Sequence, residues 1–411
     1  MLGSLDSSSH EDEDPSDHHL RIGFPSHGGS PPAQQLRQLL MTCAEHISRS
    51  DLQSAARILS LLSSNSSPYG DSTDRLVSQF VAALSLHLRL PLPQQQQQSP
   101  RHIPPSLVTP QTVESSFLSL NQITPFIRFS HLTANQAILD ALDGHNSVHI
   151  VDLNTMQGVQ WPPFMQAMAE RFPHHGATIR ITGTGPDLSN LHRTGARLSR
   201  FAQTLGLDFH FHPFLSNSLS DLLLLPQAIA SVAQPNEALA VNCVHHLHVH
   251  LGHDLPSLLR ALKGLNPRVL TLSEREAGHN HPSFTERFSE ALSHYSALFE
   301  SLEATVPPSS RERMAVEQVW FGREITRVLA NEEEIGRRER ERERHERFER
   351  WAEMMRVCGF EGVVLSDFAV SQARLLLRLH YPSEGYNLHL HHDACFLGWQ
   401  NHPLFSVSSW H

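Results

Sequence analysis

The segment Val148-His-Ile-Val-Asp-Leu-Asn-Thr-Met-Gln-Gly-Val-Gln-Trp-Pro162 constrains the fold of this chain more than any other. Val148, Ile150 and Val151 lead as a buried strand into Asp152, and a turn follows. A helix then opens near Pro162, whose missing N–H costs nothing in a first helical turn. This is the strand–turn–helix of a nucleotide-binding α/β unit, in which a ligand sits beyond the carboxyl end of the strand. The turn itself holds a single glycine, Gly158. Close approach of backbone to a phosphate or an adenosine needs residues without a Cβ, and Met156 and Gln157 obstruct it. The scaffold has the form of an enzyme and the turn does not.

A chain of 411 residues buries a large core. Its four cysteines, Cys43, Cys243, Cys358 and Cys395, are scattered and form no Cys-x-x-Cys pair, so a disulfide scaffold or cysteine zinc site is not expected. No basic-then-apolar leader opens the sequence, and no apolar run reaches the roughly 20 residues that span a bilayer. A net charge of −10 argues against a protein whose main task is to grip a phosphate backbone.

Residues 1–33 are polar, acidic and rich in Ser, Gly and Pro, and are expected to be a disordered tail. Residues 34–410 read as one unit. Its first part, 34–143, is a mainly helical cap: Leu36, Leu39, Leu40, Cys43 and Ile47 form one stripe, Leu52, Ala55, Leu59 and Leu62 a second, Leu76, Phe80, Leu84 and Leu88 a third. Asp51 and Asp71 or Ser72 are the expected caps. A low-complexity loop at 91–105 follows, then helices near 113–120 and 125–142. From 144 to 410 the pattern is an α/β core. Strands are expected at 148–153, 178–183, 207–212, 238–244 and 268–273, each followed by helical periodicity, which implies a parallel sheet with helices on both faces. A helix at 283–303 and one or two more between 311 and 357 come next. The end predicts a strand at 362–368, a helix at 371–380 and short strands at 386–391, 394–399 and 404–410. A parallel sheet closed by an antiparallel hairpin is the Rossmann-like architecture of class I methyltransferases.

Several constellations invite a chemical reading. Asp152 and Asp187, with Gly158, stand where a methyltransferase would hold its cofactor; Thr182-Gly-Thr-Gly-Pro-Asp187 even supplies a Gly-x-Gly, but after the wrong strand and with Pro186 at the helix start. His245, His246, His248, His250 and His253 follow the fourth strand, and His389, His391 and Asp393 can share a strand face. Neither histidine group has a second pair at a fixed loop spacing, so no metal is assigned. No nucleophile elbow, P-loop or kinase signature is present. The Glu- and Arg-rich run from Glu332 to Arg350 contains the i,i+4 pairs Glu334–Arg338, Glu343–Arg347 and Glu346–Arg350, which predict a solvated helix, with Phe348, Trp351, Ala352 and Met355 turned inward. Leu-x-x-Leu-Leu occurs at Leu36–Leu40, Leu219–Leu223 and Leu255–Leu259. The first, in the cap, is a candidate for docking into a partner groove. Arg193, Arg197 and Arg200, at helical spacing and joined by Arg180, are candidates for direct contact with DNA.

Taken together these segments resemble the GRAS family of plant regulators from about residue 34 to 410. Val148-His-Ile-Val-Asp152 is similar to the family's namesake motif, with Val151 where Ile is usual. Leucine-rich regions lie at about 34–92 and 188–225, and Arg287-Phe288 and Glu317 to Glu324 fall in the following region. Gly398-Trp399 and Ser408-Ser-Trp410 resemble the terminal one, with Ser409 where Ala is typical. Gly158 to Pro163 and Arg275 to Pro282 most resemble the Lateral Suppressor/Monoculm branch. The resemblance implies a nuclear transcriptional regulator without catalysis or cofactor. Its implied partners are other GRAS proteins and DNA-binding factors such as zinc-finger proteins, and its implied role is in axillary meristem initiation and shoot branching. The expected partner surface is the cap around Leu36, Leu39, Leu40, Leu59 and Leu62. Two rival readings remain: an S-adenosylmethionine-dependent or small-ligand protein using Asp152, and a factor that binds DNA directly.

Overall fold

The computed structural model describes residues 33–89, 108–173, 176–252, 254–330 and 343–411. The expected tail, apart from Ala33, and the loop at 91–105 lie outside these residues, as does His253.

Three amphipathic helices come first: α1 (Ala33–Ser48), α2 (Leu52–Ser64) and α3 (Ser72–His87). Asp51 and Asp71 cap α2 and α3 by accepting from the amides of Ser54 and Asp74. Helices α4 (Pro110–Ile123) and α5 (Phe126–Ala141) lead into the sheet.

Strand and helix then alternate: β1 (Ser147–Asp152), α6 (Trp161–Arg171), β2 (Thr178–Gly185), α7 (Leu188–Thr204), β3 (Asp208–Leu215), two short helices α8 (Leu219–Leu222) and α9 (Leu225–Val232), β4 (Ala238–Val244), α10 (Leu255–Gly264) and β5 (Val269–Arg275). These five strands are parallel. The period of two in a strand sends alternate side chains to opposite faces. Val148 and Ile150 of β1 therefore join Trp161, Phe164 and Met165 of α6 in one core, whereas Val151 joins Leu258 and Leu262 of α10 in another.

After β5 come the long α11 (Phe284–Thr305), α12 (Arg311–Ala315), a π-helical turn (Val316–Phe321), α13 (Gly322–Leu329) and α14 (Phe348–Val357). The chain ends with β6 (Gly362–Val363), α15 (Asp367–His380), β7 (Tyr386–His391), β8 (Ala394–Trp399) and β9 (His402–Trp410). The sheet order is β3-β2-β1-β4-β5-β9-β8-β7, with β6 also paired to β9. Strand β9 runs antiparallel between β5 and β8, so the sheet is mostly parallel with an antiparallel C-terminal end.

Two expectations need correction. The strand expected at 362–368 stops at Val363, because Ser366 accepts from the amide of Ala369 and starts α15 at Asp367, four residues before the expected helix. The solvated helix expected over Glu332–Arg350 does not extend through its described part, and the pair Glu334–Arg338 lies outside the described residues. Residues 343–347 are irregular and α14 begins at Phe348. Glu343–Arg347 and Glu346–Arg350 are consequently not helical pairs. Tertiary partners outbid them: Glu346 bonds Asn280, and Arg347 bonds Glu290. Phe348, Trp351, Ala352 and Met355 do turn inward.

The helices of 34–143 do not close a core by themselves. Phe80 of α3 packs edge-on against Phe288 of α11, and the interior around the cap leucines continues into Leu298 of α11 and Ile325 of α13.

Candidate functional site

Asp152, at the carboxyl end of β1, meets Asn242 of β4 and Thr271 of β5, all buried. The Asp152 carboxylate accepts from Asn242 Nδ2 at 3.0 Å and from Trp161 Nε1 at 2.8 Å. Asn242 and Gln160 then exchange two amide hydrogen bonds, at 3.0 and 3.1 Å. Gln160 also donates to Asn135 Oδ1, and Thr271 Oγ1 donates to Asn242 Oδ1. Burial pushes the Asp152 carboxyl up, and the Asn242 and Trp161 donors hold it back. Every polar atom of this hub finds its partner within the protein, and the hub pins α5 and the β1–α6 turn to the sheet.

The glycines of this region serve packing. Gly158 has φ +60°, and a Cβ there would lie 2.7 Å from Thr194 Cγ2. A Cβ on Gly183 would lie 2.7 Å from the Phe211 ring. Met156, also at positive φ, packs against the core beside the turn. Asp187 is exposed and caps α7 through the amides of Ser189 and Asn190. The motif residues Val148, Ile150 and Val151 are fully buried in β1, and His149 bonds Thr182 Oγ1 at 2.8 Å. Burial lowers the His149 imidazole to about 4.

Beyond this hub lies a cavity of about 460 Å³, lined among others by Asp152, Met156, His245, His248, Arg275 and Glu343. A second, of about 830 Å³, opens between α3, α4, α7 and α13, with Arg193, Arg323 and Trp320 on its wall.

The structure separates the histidines that follow β4. His245 points to Ser130 Oγ at 3.0 Å, and burial lowers it to about 3. His246 and His250 face each other at 3.3 Å. His248 goes elsewhere. Its Nδ1 lies 2.9 Å from Glu274 Oε2 and its Nε2 3.2 Å from Glu343 Oε2, while His345 Nε2 approaches the same Glu343 oxygen at 3.2 Å. Burial alone lowers His248, but the facing carboxylates of Glu274 and Glu343 outweigh it and lift it to about 10. Burial likewise raises Glu274 and Glu343, and the imidazoles overcome this and hold both well below the usual carboxylate range. Among the described residues, His389, His391 and Asp393 are not gathered in this way; His389 stacks on Phe396 and His391 lies against His392. Glu343 and His345 escape a sequence reading because they sit 95 and 97 positions after His248, inside a charged run that looks solvated.

Arg193, Arg197 and Arg200 are exposed along one face of α7. Arg180 does not join them: it is buried, with its Nε 2.9 Å from Glu237. The cap residues Leu36, Leu39, Leu40, Leu59 and Leu62 are all buried, the most accessible being Leu39 at 6%. They fill the interior between α1, α2 and α11, so in this conformation a partner does not reach them.

The model of the GRAS domain family matches residues 36–411. The chain belongs to the GRAS family. It is 48% identical to Scarecrow-like protein 18 of Arabidopsis thaliana over 412 residues, covering 91% of each chain. It is 44% identical to Protein MONOCULM 1 of Oryza sativa subsp. japonica over 403 residues, covering 91% of this chain and 88% of that one. These relatives place it in the Lateral Suppressor/Monoculm-like branch. The crystal structure of SCL7 from Oryza sativa superposes with a TM-score of 0.77 at 35% identity, over 93% of this chain and 100% of the other. GRAS proteins are plant developmental transcription regulators, and this chain is one of them. Among the described residues, no helix is long and apolar enough to cross a membrane.

Proposed function

We propose that the chain is a nuclear regulator that works by protein contact. It binds other GRAS proteins and DNA-binding factors, zinc-finger proteins among them, and acts in axillary meristem initiation and shoot branching. The relationship to MONOCULM 1 supports the branch of physiology. One observation carries the contact reading: the Asp152 carboxylate, which a methyltransferase would turn towards its cofactor, is committed to Trp161 and Asn242. A ribose arriving there would have to break both bonds and leave buried donors unpaired, at about 1–3 kcal/mol each.

Burial of the cap leucines changes how the reading is tested. Leu39→Asp and Leu40→Asp would place charge in the core and lose partners by unfolding. Exposed apolar residues are the sound choice. Phe368, Leu375 and Leu379 lie on one face of α15 and are 60%, 51% and 67% exposed. With all three changed to Ser, capture of a GRAS relative should fall more than tenfold while circular dichroism stays unchanged. Calorimetry with S-adenosylmethionine should give no binding heat. Undiminished capture together with saturable S-adenosylmethionine binding, lost in Asp152→Asn, would overturn the proposal.

A second reading has one observation in its favour, the exposed Arg193, Arg197 and Arg200 on α7. Direct DNA contact by this face predicts that affinity for a short duplex falls steeply with salt, and that removing one arginine lowers the log–log slope by about one.

A further inference from the structure

We propose that His248, Glu343 and His345 form a binding site for one divalent transition-metal ion of the zinc type. The site is backed by Glu274 and open on one side to the cavity at the sheet edge.

The distances suit an ion. One nitrogen from each histidine and one oxygen of Glu343 all lie within 4.8 Å of one another. Both imidazole Nε2 atoms are 3.2 Å from the same carboxylate oxygen. A tetrahedral zinc ion with bonds of about 2.0–2.1 Å separates its ligand atoms by roughly 3.3 Å. Two imidazole nitrogens and one carboxylate oxygen are a donor set that zinc accepts readily, with the fourth position left for water or an added ligand.

The surroundings are organised as metal sites require. Glu274 Oε2 takes the Nδ1 side of His248 at 2.9 Å, which turns Nε2 towards Glu343. A carboxylate behind a ligating histidine fixes both its tautomer and its ring orientation. His345 is 1% exposed, its ring lies 4.1 Å from that of His248 between centroids, and neither of its ring nitrogens makes a hydrogen bond of normal geometry, so a buried imidazole with unused nitrogens stands beside the cluster. The chain that carries Glu343 and His345 is itself anchored. The Arg344 guanidinium donates to the carbonyls of Arg327, Val328 and Ala330 at the end of α13, and the Asn280 amide donates to the His345 carbonyl. The two carboxylates Glu274 and Glu343 offset a dication, Arg275 and Glu324 neutralise each other at 2.5 Å, and Arg327, 3.6 Å from the other Glu343 oxygen, adds one positive charge at the rim.

The ion would join the loop after β4 to the segment ahead of α14, two stretches that share no strand or helix. Its open position faces the cavity of about 460 Å³ that His248, Glu343 and His345 help to line. A small ligand with an oxygen or nitrogen donor would bind there.

The full chain, stripped with a chelator and passed through a desalting column, is loaded with Zn²⁺ and analysed for retained metal; Co²⁺ loading is followed by visible absorption. We expect one retained equivalent of zinc and intense Co²⁺ bands of low coordination number. Glu343→Gln and His345→Gln should each weaken zinc binding at least about tenfold, and Glu274→Gln about 10–100-fold. The double variant His391→Asn/His392→Asn, which removes an exposed histidine pair, should leave both readouts unchanged. Should His345→Gln fail to fold, Glu343→Gln decides the matter, because Glu343 lies at the cavity wall. No retained zinc, equal retention in Glu343→Gln, or a pale octahedral Co²⁺ spectrum would overturn the site and leave a buried ion-pair cluster in its place. None of these outcomes bears on the contact reading above.

Discussion

Asp152 shows how one side chain is claimed by structure. Its two oxygens accept from Asn242 and Trp161, and the side chain is buried. An asparagine there turns an amide against one of those donors. Asp152→Asn should therefore cost about 1–3 kcal/mol in a urea titration. A residue kept for a cofactor would show little change without that cofactor. Glu276 makes the complementary case. It is buried, accepts from Ser406 Oγ and from the Phe348 amide, and lies near Glu349 and Arg347. Burial pushes its carboxyl up to about 7 from an ordinary 4.5, against the pull of those two donors. Between these two values the folded chain holds a proton that the unfolded chain has released, so stability falls as pH rises through this window. Glutamine copies the protonated form. Glu276→Gln should then match the parent near pH 4.5 and exceed it above pH 7, by on the order of 2 kcal/mol, read from melting curves at the two pH values.

Elements were legible in the sequence where a local pattern agreed with the final packing. The five parallel strands sit within a few residues of their expected places; β1, β4 and β5 are apolar runs buried on both faces, whereas the edge strand β3 has no fully buried residue and is marked by its alternating Phe209 and Phe211. The helix capped by Asp51 is where its periodicity predicts. Elements were illegible where distant groups decided. Nothing local tells that the run ending at Arg350 gives up helix at 343–347 so that Glu343 and His345 can meet His248. Nor does local spacing reveal the π-helical turn Val316–Phe321, which places Glu317 against Arg75 of α3. The candidate site is half visible for the same reason: His248 belongs to a histidine cluster plain in the sequence, and its partners lie in a distant charged run. Arg344 offers the test at this scale. It is 1% exposed and closes the carboxyl end of α13 with charge-assisted hydrogen bonds. Arg344→Ala should destabilise the chain by about 2–4 kcal/mol, and Arg344→Lys should recover only part, since one ammonium cannot reproduce the planar fork. Chemical denaturation of the two variants measures both.

At the scale of the whole molecule, the question is whether cap and sheet are separate bodies. The Arg75 guanidinium, on α3 and 2% exposed, reaches Glu317 at 2.8 Å through Nε and Glu303 of α11 at 2.6 Å through Nη1. Burial works against the charge on Arg75, and the two carboxylates more than restore it. The same α11 lends Tyr295 and Phe299 to the interior that runs on to Phe405 and Val407 of β9. A cap held this way shares its core with the sheet and cannot loosen alone. Arg75→Met removes the nearer cation and leaves the buried Glu317 with Arg313 alone, 3.9 Å away, which should cost about 3 kcal/mol, the low end for a broken buried pair. The loss should appear in one transition, with tryptophan fluorescence and far-ultraviolet circular dichroism moving together. Pairing Arg75→Met with Glu317→Leu should return much of the stability, because an apolar pair needs no compensation for burial. If the single variant instead melts in two steps, with the helical signal lost first, the cap is an independent body, and partner contacts made through it need not be felt by the sheet.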